Sequence, residues 1–331
     1  MKPVVNAATI SATLAATMLT AAPATAQEQA ASYPSKQIEF VVPFAAGGSA
    51  DVIARLVCQS VSEQWKQTIV IQNRAGATGQ IASEYTTRAT PDGYTLLLAT
   101  ASTHTVLPAF KTNLPYDTVT GFAPATLLAT FPNMLVVNPQ KVPSKTVKEF
   151  IQFAKDQPGK LNYASTGQGG STHFTAELFK LMTGTQMVHV PYRGGGPALA
   201  DLISGVVDLT FDNMATVWPM AQDGKIRALG VASLQRTPLA PEMPAIAEDV
   251  PGFDANSFVG VVAPVGTPAA IIDKIAQTFA AAVRSPGITK RLSEIGATPA
   301  VNSPAEFQKF LREDRTRWER VAREAKLSAG N

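Results

Sequence analysis

The sequence predicts an α/β protein with two domains, each built on a mostly parallel sheet flanked by helices. Short apolar runs typical of buried strands alternate with runs whose apolar residues recur at helical spacing, which is the pattern of consecutive βαβ units. The chain has 331 residues, which suits two hydrophobic cores better than one. No linker separates two halves, so we expect interleaved domains between which the chain crosses more than once.

The first part of the chain follows a βαβαβ pattern. Strands are predicted at residues 38–42, 68–71 and 94–98, with helices at 51–65 and 81–89 between them. The single cysteine, Cys58, falls in the first helical pattern among apolar residues. We therefore expect a small buried side chain there rather than a reactive nucleophile, although the sequence leaves the nucleophile open.

The same alternation returns downstream. Capping boxes at Thr146 with Glu149 and at Ser303 with Glu306 predict the starts of two helices. Gly184 and Gly205 are placed to end two other helices. The crossings between the domains are expected near residues 131–139 and 253–258. Further strands are predicted at 161–164, 187–190, 208–211, 227–231 and 258–263, and further helices at 172–182 and 197–204.

Composition and charge exclude several functional classes. Hydrophobic residues make up 45% of the chain and charged residues 16%, so large cores can form and long disorder is not expected. The formal net charge is +3, and no block of lysines and arginines is present. This balance argues against nucleic acid or a lipid surface as partner and is compatible with a small anionic ligand.

The N-terminus has the pattern of a signal peptide. Lys2 precedes an uncharged run from residue 7 to residue 22, and Ala24-Thr25-Ala26 forms an A-x-A cleavage site. The run is short for a membrane span, which disfavours the alternative of an uncleaved anchor. We therefore expect residues 1–26 to be removed near Ala26–Gln27 and the mature protein to be periplasmic.

The motifs of common enzyme classes are missing from the sequence. It contains no G-x-S-x-G, H-E-x-x-H, Walker A, C-x-x-C or strand-linked G-x-G-x-x-G motif. His173 and Glu177 lie four residues apart on a predicted helix, but two ligands are too few for a metal site, so we predict no metal and no cofactor. An exported hydrolase or lyase stays as the alternative, and an effector-sensing domain of a transcription regulator is disfavoured by the export pattern.

Polar, glycine-rich segments lie where predicted strands lead into helices, at residues 43–51, 163–173 and 191–197, and a fourth polar segment, residues 100–104, follows the predicted strand at 94–98. Glycines there let a ligand approach the backbone, and helix N-termini attract anions. In open α/β sheets the carboxyl ends of parallel strands are where ligands bind. The candidate ligand-binding residues in these segments include Ser49, Ser102, His104, Thr166 and Gly170.

At these segments the chain becomes recognisable. Eight stretches carry the likeness and span the predicted mature chain in order: residues 33–36, 40–51, 73–79, 91–94, 114–117, 159–163, 189–192 and 263–268. Together they resemble the Bug/TctC family, the extracytoplasmic receptors of tripartite tricarboxylate transporters. The resemblance implies a non-catalytic, monomeric receptor that binds a small carboxylate and delivers it to membrane transporter subunits.

The resemblance also implies a fold and a site. The fold is the two-lobed type II periplasmic-binding architecture, with the ligand in the cleft between lobes. Lobe 1 is expected at residues 33–134 plus 257–331, and lobe 2 at 135–256. A ligand carboxylate in such clefts is held by loop backbone groups and ordered water. The matching positions are Phe44, Ala45, Gly47, Gly48 and Asp51 on lobe 1, and Ser165, Gly169, Ser171, His173, Tyr192, Arg193 and Asp212 on lobe 2.

Two positions depart from the family pattern. Ala45 stands where proline is usual, and Arg193 stands where lysine is common. Arginine offers a planar fork of donors, so Arg193 could contact a second acidic group of the ligand. The sequence leaves the ligand open among tricarboxylates, dicarboxylates, acidic amino acids, nicotinate-like acids and aromatic dicarboxylates.

Overall fold

A computed structural model describes residues 31–324 and 326–328. The predicted signal peptide lies outside these residues. Within them, no helix combines the length and the apolar character needed to cross a membrane.

Strands of the described residues form one curled sheet in the order β2-β1-β3-β9-β4-β7-β5-β6, and β8 and β10 also pair with β4. The strands β1–β3 are parallel to one another, as are β5–β7, which confirms the predicted βαβ units. The bounds are β1 Ile38–Val42, β2 Ile69–Asn73, β3 Thr95–Thr100, β4 Phe122–Val137, β5 Asn162–Ser165, β6 Val188–Pro191, β7 Leu209–Asn213, β8 Arg227–Val231, β9 Asn256–Pro264 and β10 Thr298–Pro299.

The crossings between the two halves of the sheet are strands. β4 pairs antiparallel with β9 as far as Pro132 and with β7 from Asn133 onward. β4 therefore belongs to both halves, and its partner changes within the first expected crossing. β9 begins at Asn256, opposite Pro132, within the second. The residue bounds of the two lobes stay a prediction.

Helices flank the sheet on both faces. The residues after β3, predicted to be a polar loop, instead form a π-helical turn at Ser102–Val106 that leads directly into α3. The helix bounds are α1 Ser49–Trp65, α2 Gln80–Thr87, α3 Leu107–Phe110, α4 Val147–Lys155, α5 Ser171–Thr183, α6 Gly195–Ser204, α7 Met214–Gln222, α8 Ala269–Arg284, α9 Pro286–Glu294 and α10 Pro304–Glu324.

The predicted helix caps are confirmed. Thr146 Oγ1 accepts a hydrogen bond from the Glu149 N–H at 3.1 Å, and Ser303 Oγ accepts one from the Glu306 N–H at 3.3 Å. Gly184 and Gly205 follow α5 and α6 in the left-handed conformation. These contacts satisfy backbone groups that a helix end leaves unpaired, which is why the local sequence predicted them well.

Several apolar cores stabilise the sheet. In the first half, Phe40, Ile53 and Phe279 are fully buried between β1, α1 and α8, and Cys58 lies buried in the same core, as predicted. A second core runs through both halves: it includes Val41 and Leu97 of the first, Phe174 and Phe211 of the second, and Trp318 of α10. The last helix thus packs against elements of both halves.

Candidate ligand-binding cleft

The glycine-rich segments of the two halves face each other across a cleft. The Ala45 N–H donates to the Arg193 carbonyl at 3.1 Å, and the Ser49 N–H donates to Thr216 Oγ1 at 3.0 Å. Ser102 Oγ lies 3.0 Å from Ser171 Oγ and accepts from the Ser171 N–H at 2.9 Å. These bonds join α1 and the turn after β3 to the starts of α5, α6 and α7. The cleft is therefore closed.

Glycine makes this closure sterically possible. A Cβ on Gly48 would lie 3.3 Å from the Gly195 nitrogen, and one on Gly196 would lie only 2.5 Å from the Ala46 carbonyl oxygen. Gly47 has φ 87°, a conformation that other residues rarely adopt. Gly48 has φ −88°, a value that other residues also adopt. Glycine is therefore needed there only because the opposite backbone lies so close.

A small cavity lies at the closed centre of the cleft. Its volume is about 20 Å³, close to that of one ordered water. Backbone and hydroxyl groups at helix N-termini surround it together with one carboxyl group, and its lining includes no cationic side chain. The lining residues are Phe44, Gly48, Ser49, Ala50, Thr100, Ser102, Phe131, Thr166, Ser171, Gly195, Asp212, Asn213, Thr216, Ser257, Phe258 and Val259.

A wider vestibule of about 520 Å³ opens from this centre to solvent, and Phe44 and Thr166 line both spaces. Lys111 of the first half and Arg193 of the second line it, and no acidic side chain does. The mouth of the cleft therefore attracts anions. Its other lining residues are Gly76, Ala77, Thr78, Gln80, Leu107, Phe110, Asn113, Gly167, Gln168, Pro191 and Tyr192.

Asp51 supports the first glycine-rich loop from behind. Its carboxylate accepts hydrogen bonds from the Gly47 N–H at 3.1 Å, from Asn73 Nδ2 at 3.0 Å and from Arg55 Nε at 3.0 Å. Burial works against ionisation of Asp51, but the bonds from Arg55, Asn73 and Gly47 outweigh it and lower its pKa. Asp51 thus holds the loop, and it is not among the residues that line the cleft spaces.

Two stacked histidines support the loop after β5. The rings of His173 and His189 lie 4.1 Å apart, centroid to centroid. His173 Nδ1 accepts from the Gly169 N–H at 3.1 Å, and His189 Nε2 shares a 2.6 Å hydrogen bond with Ser165 Oγ. Burial lowers the pKa of both rings to about 4, so both are neutral at pH 7. Neutral rings can accept these bonds and hold the loop.

The expected pairing of His173 with Glu177 gives no metal site. His173 Nε2 lies 3.9 Å from Glu177 Oε1, while Glu177 is already bound by Tyr163 and Lys180. Among the described residues, no group of three or more His, Cys, Asp or Glu side chains is placed to hold a metal ion.

Most candidate residues either line one of the two cleft spaces or lie behind the residues that line them. Phe44, Gly48, Ser49, Ser102, Thr166, Ser171 and Asp212 line the central cavity, and Phe44, Thr166, Tyr192 and Arg193 line the vestibule. Ala45, Gly47, Asp51, Ser165, Gly169, Gly170 and His173 lie behind these lining residues, in the loops or helix starts that carry them. His104 is fully buried against Phe122, hydrogen-bonded to Thr103, and lines neither space.

Sequence reasoning missed several lining residues. Thr78 of the stretch 73–79 donates a hydrogen bond to the Gln168 carbonyl across the cleft. Both Ala77 and Thr78 have positive φ, at 47° and 56°, in a tight turn between two glycines. The two glycines, Gly76 and Gly79, on either side of two small residues were a usable signal for that turn. Lys111, Phe131 and Phe258 carried no local signal.

Comparison with known proteins identifies the architecture. Residues 53–327 match the family described as "Tripartite tricarboxylate transporter family receptor", TctC. BugT of Bordetella pertussis is 34% identical over 295 residues, which cover 88% of this chain and 90% of BugT.

Two solved structures resemble the chain over nearly their whole length. R. palustris Rpa4515 with adipate is 38% identical, with a TM-score of 0.86 over 89% of this chain and 99% of that one. MatC (Rpa3494) from Rhodopseudomonas palustris with bound malate is 31% identical, with a TM-score of 0.83 over 87% and 99%. The predicted two-lobed binding-protein fold is confirmed. The chain belongs to the TctC family of tripartite tricarboxylate transporter receptors, and it is a solute-binding receptor rather than an enzyme.

Proposed function

We propose that this receptor captures a small carboxylate-bearing solute in the cleft and delivers it to a membrane transporter of the tripartite tricarboxylate type. The observation that carries the proposal is the convergence of helix N-termini on one cavity. Gly48 and Ser49 at the start of α1, Ser171 at the start of α5 and Gly195 at the start of α6 all line it.

The chemistry of these groups suits a carboxylate. Each helix N-terminus carries N–H groups that have no partner within the helix and about half a positive charge, and each is worth about 0.3–1 kcal/mol to a nearby anion. The hydroxyls of Ser49, Ser102 and Ser171 add donors that can turn toward a ligand oxygen. A carboxylate could therefore be held by neutral donors, without a direct ion pair.

The closed centre is smaller than a dicarboxylate, so the lobes must separate for a ligand to enter. We infer that one carboxyl group lies at the centre and that the rest of the ligand extends past Phe44 and Thr166 into the vestibule. A second acidic group would then reach Lys111 and Arg193, on opposite sides of the mouth. Adipate and malate, bound by the two related structures, each have two carboxyl groups.

A thermal-shift screen of the purified receptor tests this function. The panel contains adipate, malate, citrate, glutamate, nicotinate and terephthalate, with hexanoate and the diamide of adipate as matched controls. We expect at least one acid to raise the Tm in a concentration-dependent way, because a ligand that binds only the folded state stabilises it. The uncharged diamide should leave the Tm unchanged. A panel without any response would contradict carboxylate capture.

Delivery to a transporter requires export of the receptor. We propose that residues 1–26 form a signal peptide cleaved near Ala26–Gln27, on the pattern of Lys2, the uncharged run and the A-x-A site. N-terminal sequencing of the periplasmic protein should start at or near Gln27. Intact Met1 on the periplasmic protein would contradict cleavage, and loss of uptake of the identified acid on deletion of the receptor would support delivery.

A further inference from the structure

Asp212 is a buried carboxyl group in the ligand cavity with no charged partner. Its side chain lies near the end of β7, is 1% exposed and lines the central cavity with Gly48 and Ser49. Oδ1 accepts a 2.7 Å hydrogen bond from the Asn213 N–H. Oδ2 forms no hydrogen bond with the described residues and lies 3.1 Å from where a Cβ on Gly195 would be. This oxygen therefore faces the point where α6 begins.

The charged groups on the surrounding elements do not compensate Asp212. Its neighbours in the sheet belong to β4 and β5, and α1, α5, α6 and α7 pack around this end of β7. The ionisable side chains of these elements have other partners, lie at their far ends or are buried elsewhere. They are Asp51, bonded to Arg55; Cys58, buried in the first core; Glu63, near the far end of α1 and bonded to Gln59; Tyr163, His173 and Lys180, grouped with Glu177; Asp201, bonded to Tyr192; and Asp223, paired with Lys225. Arg193, before α6, is exposed and lines the vestibule instead.

A ligand carboxylate at the cavity centre would lie beside Asp212. Two like charges in a closed space with little water repel strongly, and such pairs usually share a proton instead of both ionising. The helix N-termini favour negative charge there, but each supplies only about half a unit charge. No cationic side chain lines the centre, so no charged group there offsets a second full negative charge.

We propose that Asp212 binds the ligand as a neutral carboxylic acid whose O–H donates a hydrogen bond to the ligand carboxylate, so that each capture takes up one proton from solution. The inference rests on the proposed function. In the open cleft Asp212 is hydrated and ionised. Closure over the ligand places a solvent proton on Asp212, and release returns it. Burial raises the pKa of Asp212 to about 7 in the closed cleft, which also favours the protonated carboxyl group.

Proton uptake makes the affinity depend on pH with a defined sign. The pKa of Asp212 is higher in the complex than in the open receptor, so the complex holds more protons and binding weakens as pH rises. Between the ordinary Asp pKa near 4 and the pKa in the complex, the Kd should rise by up to about tenfold per pH unit. Above the pKa of the complex the Kd should level off.

Calorimetric titration with adipate and malate at pH 6.5, in buffers of different ionisation enthalpy, counts the protons directly. We expect the wild type to take up close to one proton per ligand. Asp212→Asn should take up none and still bind, because its amide donates a hydrogen bond without exchanging a proton. From pH 6.5 to pH 8.5 its Kd should stay constant while the wild-type Kd rises. Asp223→Asn, an exposed change at the end of α7, should match the wild type.

The outcomes separate the inference from the proposed function. Wild-type binding without proton uptake overturns the inference and leaves carboxylate capture intact. Loss of binding in folded Asp212→Asn also overturns it, because an ionised Asp212 would then be accepting a hydrogen bond from a protonated carboxyl or a hydroxyl group of the ligand. If neither these two acids nor any other acid of the panel binds, both proposals fall. A wild-type proton count of zero overturns the inference even if Asp212→Asn does not fold.

Discussion

Individual side chains in the cleft divide into those that touch the ligand space and those that hold others in place. Arg193 is exposed at the mouth, whereas Gly48 lies at the closed centre against the start of α6. The two residues therefore test whether a charged side chain or the close approach of backbone groups contributes more to binding.

Arg193→Ala should weaken binding of a dicarboxylate by about 1.5–3 kcal/mol, the loss of one charge-assisted contact, and leave binding measurable. Gly48→Val should weaken it more, because its branched side chain occupies the space taken by the Gly195 backbone. Calorimetric titration compares the two, with circular dichroism to confirm folding. Abolished binding in Arg193→Ala beside normal binding in Gly48→Val would show that an ion pair holds the ligand.

The histidines should make folding stability depend on pH. The pKa of His173 and of His189 falls from 6.5 to about 4 on folding, and that of His104 to about 3. Between these values and 6.5 the unfolded chain binds more protons than the folded one. The free energy of unfolding should therefore decrease as pH falls from about 6.5 to 4, by at most about 3 kcal/mol per histidine and by less at the half-buried His189.

Urea unfolding at pH 7 and pH 5 measures this decrease. His189→Gln keeps a polar partner for Ser165 but does not titrate, so the variant should lose less stability than the wild type between these two pH values. An equal loss in both proteins would show that His189 does not contribute to the pH dependence.

At the scale of elements, β4 determines how the lobes connect. Its sixteen residues include Pro124 and Pro132, and proline cannot donate a hydrogen bond within a sheet. Prolines at these positions disfavour regular pairing in a central strand. The structure accommodates the prolines by a register shift beside Pro124 and a change of partner strand beside Pro132. The crossing is thus a continuous strand whose pairing changes where the lobes meet.

The start of α6 determines how closely the lobes approach. A Cβ on Gly196 would lie 2.5 Å from the Ala46 carbonyl oxygen, yet Gly196 has ordinary helical geometry within its own lobe. Gly196→Ala should therefore fold normally and oppose closure. Overpacking of this kind costs about 1–3 kcal/mol, so we expect the Kd to rise by roughly 5- to 150-fold.

Gly287→Ala is the matched control, because Gly287 is also the second residue of its helix and has no atom within 4 Å of the added Cβ. Its affinity for the same ligand should equal that of the wild type in fluorescence titrations. Unchanged affinity in Gly196→Ala would mean that the ligand-bound cleft is wider at α6 than the closed cleft described above.

At the scale of the whole molecule, the closed cleft and the two crossing strands predict a hinge motion. β4 and β9 meet at Pro132 and Asn256, where the pairing of β4 passes from one half of the sheet to the other. Rotation there would separate the glycine-rich segments. Domain closure around a ligand at such hinges is a common mechanism.

Solution scattering tests this motion. We expect the radius of gyration to be smaller with a saturating ligand than without one, because the lobes close over it. Gly196→Ala should shift less than the wild type under the same conditions. An unchanged profile with ligand occupancy confirmed by calorimetry would contradict hinge closure.

The sequence by itself determined the local architecture: the βα units, the caps at Thr146, Ser303, Gly184 and Gly205, and the strand ends at which polar loops start. These features depend on backbone preferences of neighbouring residues, and so they can be inferred from spacing. Likeness to a family then predicted the two-lobed fold and four of the residues that line the central cavity, Phe44, Gly48, Ser171 and Asp212.

Only the tertiary structure decided which of these residues face the ligand space. Gly48 meets Gly195, and Lys111 lines the same vestibule as Arg193, because the order of strands in the sheet brings distant segments together. The isolation of Asp212 from any cation has the same origin. Sheet order results from burial of apolar surface by the whole chain, and no local pattern encodes it. The sequence thus predicted the segments that contain the candidate residues. It did not predict which of these residues line the cleft, which support the loops and which stay without a charged partner.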